Sequence, residues 1–115
     1  MTPAAARKIA LSFDGVREKR ALGGGAAFHV GGDFLVQIGT REPDTVMLRT
    51  ETLDERDALI EADPALFFIT DHFRTYKGLL VRLAALDAKT FRALLRQRLA
   101  ALDAQKAKKK GGKPR

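Results

Sequence analysis

The stretch Ala26-Ala27-Phe28-His29-Val30-Gly31-Gly32-Asp33-Phe34-Leu35-Val36-Gln37-Ile38-Gly39 decides the fold. It is two alternating runs joined by Gly-Gly, a strong local signal for a β-hairpin. In the first run Ala26, Phe28 and Val30 share one face. In the second, Phe34, Val36 and Ile38 share one face, with Asp33, Leu35 and Gln37 on the other. A plain two-residue turn would pair Val30 with Asp33 and Phe28 with Leu35, which puts the two apolar sets on opposite faces. A one-residue slip flips every side chain, so the apolar sets demand an odd offset. The expectation is a three-residue loop, or a two-residue turn followed by a bulge, with Gly supplying the positive φ. Phe28, Val30, Phe34, Val36 and Ile38 should then face the core together, with His29, Leu35 and Gln37 on the outer face.

Working outward, 115 residues make one domain with one core. There is no cysteine, which excludes disulfides, thiolate metal sites and thiol nucleophiles. No apolar run approaches the ~20 residues of a membrane-spanning helix, and the start of the chain has no leader pattern. A cytoplasmic protein without a membrane partner is the expectation. The formal charge is +7, unevenly placed. Residues 104–115 hold Lys106, Lys108, Lys109, Lys110, Lys113 and Arg115 and no acid, which leaves +1 for residues 1–103. The composition predicts a folded domain over 1–103 and a disordered basic tail over 104–115.

Before the hairpin, Thr2 and Pro3 open a helix carrying Ala5, Ala6, Ile9, Ala10 and Phe13. Asp14-Gly15 is a turn, and Val16–Leu22 reads weakly as a strand. Gly23-Gly24-Gly25 precedes neither a Gly-Lys-Ser/Thr nor a helix, so it reads as a turn rather than a phosphate cradle. After the hairpin, Thr40–Asp44 is a polar turn and Val46–Arg49 a strand. Thr52 or Asp54 caps a helix that ends at Asp63-Pro64. Leu66–Thr70 is extended, Asp71–Gly78 a polar and aromatic loop, and Leu79–Leu83 a strand. Asp87 caps the last helix, whose stripe is Phe91, Leu94, Leu95, Leu99 and Leu102. Helix, three or four strands, helix, two strands and helix predict an α+β fold, a single antiparallel sheet with helices on one face.

Ala10-Leu11, Phe13-Asp14-Gly15-Val16, Phe28–Phe34, Glu55–Leu59, Ala62-Asp63-Pro64, Phe67-Phe68 and Leu80–Leu83 together resemble the MmcQ/YjbR-like family of small bacterial proteins. The resemblance spans nearly all of residues 5–102. It departs from the family at Asp14, where Pro is usual, and in lacking a Trp in the last helix. It implies a secretion-chaperone-like α+β fold and, for some members, DNA binding through a double wing of paired hairpin loops.

The stock of catalytic groups is thin. Ser12 is the only serine and lacks the glycines of a nucleophile elbow. His29 has no carboxylate placed by spacing to orient it, and reads as a sheet-surface histidine. Asp71-His72 lacks the further ligands of a metal site. The expectation is a non-enzymatic protein with no cofactor.

The richer constellation is His72-Phe73-Arg74-Thr75-Tyr76-Lys77. Cations interleaved with aromatics suit a nucleic-acid contact: Arg74 and Lys77 for phosphates, Phe73 and Tyr76 for stacking or wedging. The commoner fate of such rings is to fold back on the core. The second candidate wing, 40–44, offers Arg41 beside two acids. Lys89, Arg92 and Arg96 add a basic stripe to the last helix, ordinarily just solvated, that leads into the tail. Six tail cations attract any polyanion, with low specificity. Two functions from different classes follow: a DNA-binding accessory protein that holds mainly phosphates, or a protein–protein interaction module that uses the sheet or a helix face.

Overall fold

The computed structural model describes residues 1–21 and 24–111, with side chains through Ala107. α1 (Pro3–Leu11) is capped by Thr2, whose hydroxyl accepts from the N–H of Ala5. β1 (Val16–Arg20), β2 (Ala26–Val30), β3 (Asp33–Ile38) and β4 (Thr45–Arg49) follow. α2 (Leu53–Ala62) is capped by Thr52, which accepts from Glu55 N–H. β5 (Phe67–Phe68), β6 (Gly78–Arg82) and α3 (Ala88–Gly111) complete the order. All strands join one antiparallel sheet in the order β1-β2-β3-β4-β6-β5. This is the α+β layout with helices and strands segregated.

The hairpin has a two-residue turn followed by a bulge. Gly31 and Gly32 both take positive φ, 56° and 87°, as a hairpin turn twisted with its strands requires. Val30 pairs with Asp33 and His29 with Phe34; then the register shifts, and Phe28 pairs with Val36. The extra residue is Leu35. Leu35 and Val36 therefore both oppose Phe28, and all three are fully buried.

Two pairs separate the bulge from the turn, and this corrects two expectations. Phe34 precedes the bulge and stays on the outer face with His29, their rings edge to face at 5.7 Å. Leu35 enters the core in its place. Gln37, expected to be exposed, is half-buried between Ala27 and Met47.

The register assigns both faces of the sheet. The inner face carries Phe28, Val36, Leu48 and Leu79 in one cross-strand row and Ala26, Ile38, Val46, Val81 and Phe67 in the next. These rows form one cluster with Ile9 and Ala10 of α1 and Phe91 and Leu95 of α3. Burying a Phe or Leu fully contributes about 1.5–3 kcal/mol each, so this layer dominates stability. The stripe read from α3 is the buried one: Phe91, Leu95 and Leu102 are buried, and Leu94 and Leu99 pack against the core at its margin.

The last helix corrects a third expectation. It runs to Gly111, so residues 104–111 continue the helix where composition predicted disorder. Ala, Gln and Lys are strong helix formers, and lysines near the C-terminus complement the helix dipole. Side chains also hold its second half to the domain. Glu51 accepts from Arg98 at 2.9 Å and from Gln105 at 2.7 Å, and Lys106 lies 3.6 Å from Asp33. Among the described residues no helix is long and apolar enough to cross a membrane.

Candidate nucleic-acid interface

The outer face of the sheet is the side the helices leave open. Paired residues of neighbouring antiparallel strands point to the same side, so the register names its occupants. One row reads Lys19, Ala27, Gln37, Met47, Leu80, Phe68 across all six strands. Beside it lie Arg17, His29 and Phe34, with Arg49 pairing to Gly78; at the other end Thr45 pairs with Arg82.

Two guanidinium groups lie over aromatic rings on this face. Arg49 sits 4.9 Å from the Phe34 centroid and 5.7 Å from that of Tyr76, and its Nε donates to the Tyr76 hydroxyl at 2.6 Å. Arg82 sits 4.0 Å over Phe68 and donates to the Pro64 carbonyl at 3.0 Å. Arg17, Lys19, Arg49 and Arg82 make no ion pair among the described residues. Arg49 and Arg82 pack against rings rather than carboxylates, which leaves their charge uncompensated.

The segment between β5 and β6 crosses this face as a short 3₁₀ turn, Asp71–Phe73, and a return to Gly78. Phe73 and Tyr76 fold back toward the sheet, 5.8 Å apart and half-buried. Leu80 beneath them is fully buried although it points away from the helices. What fixes the segment is Arg56 of α2. Its Nη1 donates to the carbonyls of Phe73 (2.8 Å), Tyr76 (3.0 Å) and Arg74 (3.2 Å), and its Nε to Asp57 (2.9 Å). Gly78 closes the segment: a Cβ there would stand 2.6 Å from the Tyr76 ring and 3.0 Å from the Leu48 carbonyl.

The result is a concavity of ≈690 Å³. Met47 and Leu80 line it from the sheet, Phe73 and Tyr76 from one loop, and Thr40 and Arg41 from the other. The two loops singled out in the sequence, 40–44 and 71–78, thus meet across one site. Arg41 is exposed at its margin beside Glu42.

The remaining sequence candidates are dispersed. Arg74 is exposed and lies 3.6 Å from Asp71. Lys77 lies in a neighbouring groove with Arg49 and Arg98. Lys89, Arg92 and Arg96 are exposed on α3, turned away from Phe91 and Leu95. That helix packs on the inner face, so the sheet separates this stripe from the concavity. Lys106 pairs with Asp33; Lys108, Lys109 and Lys110 continue the helix backbone; Lys113 and Arg115 lie outside the described residues.

Sequence reasoning missed Arg17, Lys19, Phe34, Arg49, Phe68 and Arg82. The i, i+2 spacing of Arg17 and Lys19 was a usable signal. Arg49 and Arg82 fall on the same face only once β4 and β6 are paired. No three His, Asp or Glu side chains converge among the described residues. In comparisons with protein-family models, curated proteins and solved structures, nothing matches the chain.

Proposed function

We propose that this protein binds nucleic acid, DNA in the first instance, as a non-enzymatic accessory protein, and that the open sheet face with its two loops is the contact surface. One observation carries the reading: the outward strand positions hold Arg17, Lys19, Arg49 and Arg82 and not one carboxylate. Four acids, Asp54, Glu55, Asp57 and Glu61, stand on α2 beside β5 and β6, while Glu42, Asp44 and Asp71 lie on the two loops. A body of nearly zero net charge therefore has a basic side, which attracts phosphate by local field rather than by total charge. The Lys-rich end of α3 adds non-specific attraction.

Membership in the MmcQ/YjbR-like family is part of this proposal. It is supported by the order of motifs along residues 5–102 and by the α+β layout with two loops flanking one concavity. The protein-interaction alternative has less to favour it. Among the described residues the exposed large hydrophobics are Leu11 and Leu53, on different helices, which do not make an apolar docking patch.

The test is duplex binding by the full chain across a salt series. Binding at ~50 mM salt that weakens steeply by ~200 mM is the expected result. No binding of either duplex or single-stranded DNA at the lower salt removes the reading and moves the assignment to a protein partner.

A further inference from the structure

The two Arg–aromatic stacks do not flank a flat surface. Phe34 is on β3 and Phe68 on β5, with β4 and β6 between them. Three strand spacings of about 4.8 Å put the stacks roughly 14 Å apart across the sheet. Between them lies the ≈690 Å³ concavity, of a size that takes a small planar organic group, with apolar Met47 and Leu80 beneath and the Phe73 and Tyr76 rings at its side. Arg17 and Lys19 continue the charge to the edge strand.

Resting on the nucleic-acid reading above, we propose that this face is built for single-stranded DNA. Unpaired bases stack on the Arg49–Phe34 and Arg82–Phe68 pairs, one base enters the concavity beside Tyr76, and Arg17 and Lys19 take phosphates. Charge complementarity selects a polyanion. The rings select one whose bases are free, because a duplex turns its base faces inward and meets a sheet only through phosphates and groove edges. Guanidinium planes and aromatic rings are the surfaces on which splayed bases stack.

The experiment compares the full chain on oligo-dT of about 15 nucleotides, the matching oligo-rU and a duplex of equal length. Phosphate contacts alone favour the duplex, whose affinity gains more per contact (about 0.9 against 0.7 released counterions), so tighter binding of oligo-dT isolates stacking. Tyr76 is the only tyrosine and there is no tryptophan, so intrinsic fluorescence reports the concavity directly. Oligo-dT should quench it and the duplex should not. Phe34→Leu with Phe68→Leu should weaken oligo-dT binding about tenfold or more and leave the duplex nearly unchanged. Arg17→Glu with Lys19→Glu, on an exposed edge strand, should weaken both without a risk to the core.

A duplex bound as tightly as oligo-dT, with unquenched Tyr76 and no effect of the Phe substitutions, overturns this inference and leaves the nucleic-acid reading standing. Tighter binding of oligo-rU than oligo-dT overturns the assignment to DNA. Failure of all three probes to bind overturns both.

Discussion

Arg56 Nη1 donates to the carbonyl oxygen of Phe73 at 2.8 Å, which ties the middle of α2 to the loop that walls the concavity. Arg56 is only 6% exposed, yet it stands between Glu55 and Asp57 in a helix rich in acids. Its charge is met by Asp57 on one side and by three loop carbonyls on the other. Arg56→Ala should therefore cost about 1.5–3 kcal/mol, the range for hydrogen bonds to a charged group. Arg56→Lys should recover little, because a single ammonium cannot reproduce the planar fork. Denaturant titration measures the loss. A cost below half a kcal/mol would mean the loop is held by Phe73 and Tyr76 alone.

The inner layer makes a contrasting prediction. Leu95 is fully buried against the sheet, while Arg92 and Arg96 on the same helix are exposed. Leu95→Ala should cost roughly 2–5 kcal/mol by loss of burial and a residual cavity. Arg92→Ala and Arg96→Ala should each stay within about 0.5 kcal/mol. Three similar losses in denaturant titration would show that α3 buries a different face.

These two cases mark what a single sequence could carry. The Leu95 stripe was legible because a 3.6-residue period is local. The glycine turn was legible for the same reason, and so was the need for an odd offset. The position of the bulge was not, since it depends on partners far along the chain: Phe34 turns outward to where Arg49 meets it, 15 positions later in the sequence, and Arg49 in turn is held by Tyr76. Nothing in the sequence marked Arg56 as a tie to the loop, because no neighbour along the chain reveals the carbonyls of residues 73–76. The basic outer face was hidden likewise, as its members come from β1, β4 and β6 and share a side only through pairing.

Gly78 tests the geometry of the concavity without touching charge. A methyl group there would press on the Tyr76 ring and the Leu48 carbonyl. Gly78→Ala should displace Tyr76 and break its hydroxyl contact with Arg49. The expected readouts are a changed Tyr76 fluorescence and a loss of stability of about 1–3 kcal/mol, the usual range for overpacking. Unchanged fluorescence would show that the ring position is not set by this glycine.

Asp87 supplies a pH dependence. Its carboxylate accepts from the Thr90 N–H at 2.7 Å at the start of α3. Its pKa lies below the usual 3.8, first because of that backbone hydrogen bond and then that of the Thr90 side chain, with the Lys89 charge assisting against a small desolvation. A pKa lowered on folding adds stability above the unfolded value, and that stability is lost as pH falls through the folded value. Wild type should therefore be more stable than Asp87→Ala at neutral pH, and the gap should narrow as pH drops below 3.8. Thermal melts at several pH values measure it. A gap that widens in acid would contradict the capping role.

The last prediction separates the Lys-rich end of the chain from the sheet face. Six cations after Gln105 should contribute about −5 to the log–log salt slope on duplex DNA, at ~0.9 per phosphate. Arg17, Lys19, Arg49 and Arg82 should contribute roughly −3.6 more if all four reach phosphates. A slope near −9 for the full chain means that both surfaces act; a slope near −5 means that the Lys-rich end of the chain acts alone. Deleting residues 106–115 should spare the fold, since Leu102 keeps its burial and Gln105 its bond to Glu51, and among the described residues only the exposed Lys106–Asp33 pair is lost. Exposed ion pairs of that kind contribute about 0–1 kcal/mol. The shortened protein should bind weakly at ~50 mM salt with a slope of roughly −3.6, and Arg17→Glu with Lys19→Glu should then remove most of that binding. If the shortened protein binds nothing while the full chain binds with a slope near −5, the sheet face is not a phosphate-binding surface, and the attraction belongs to the lysines alone.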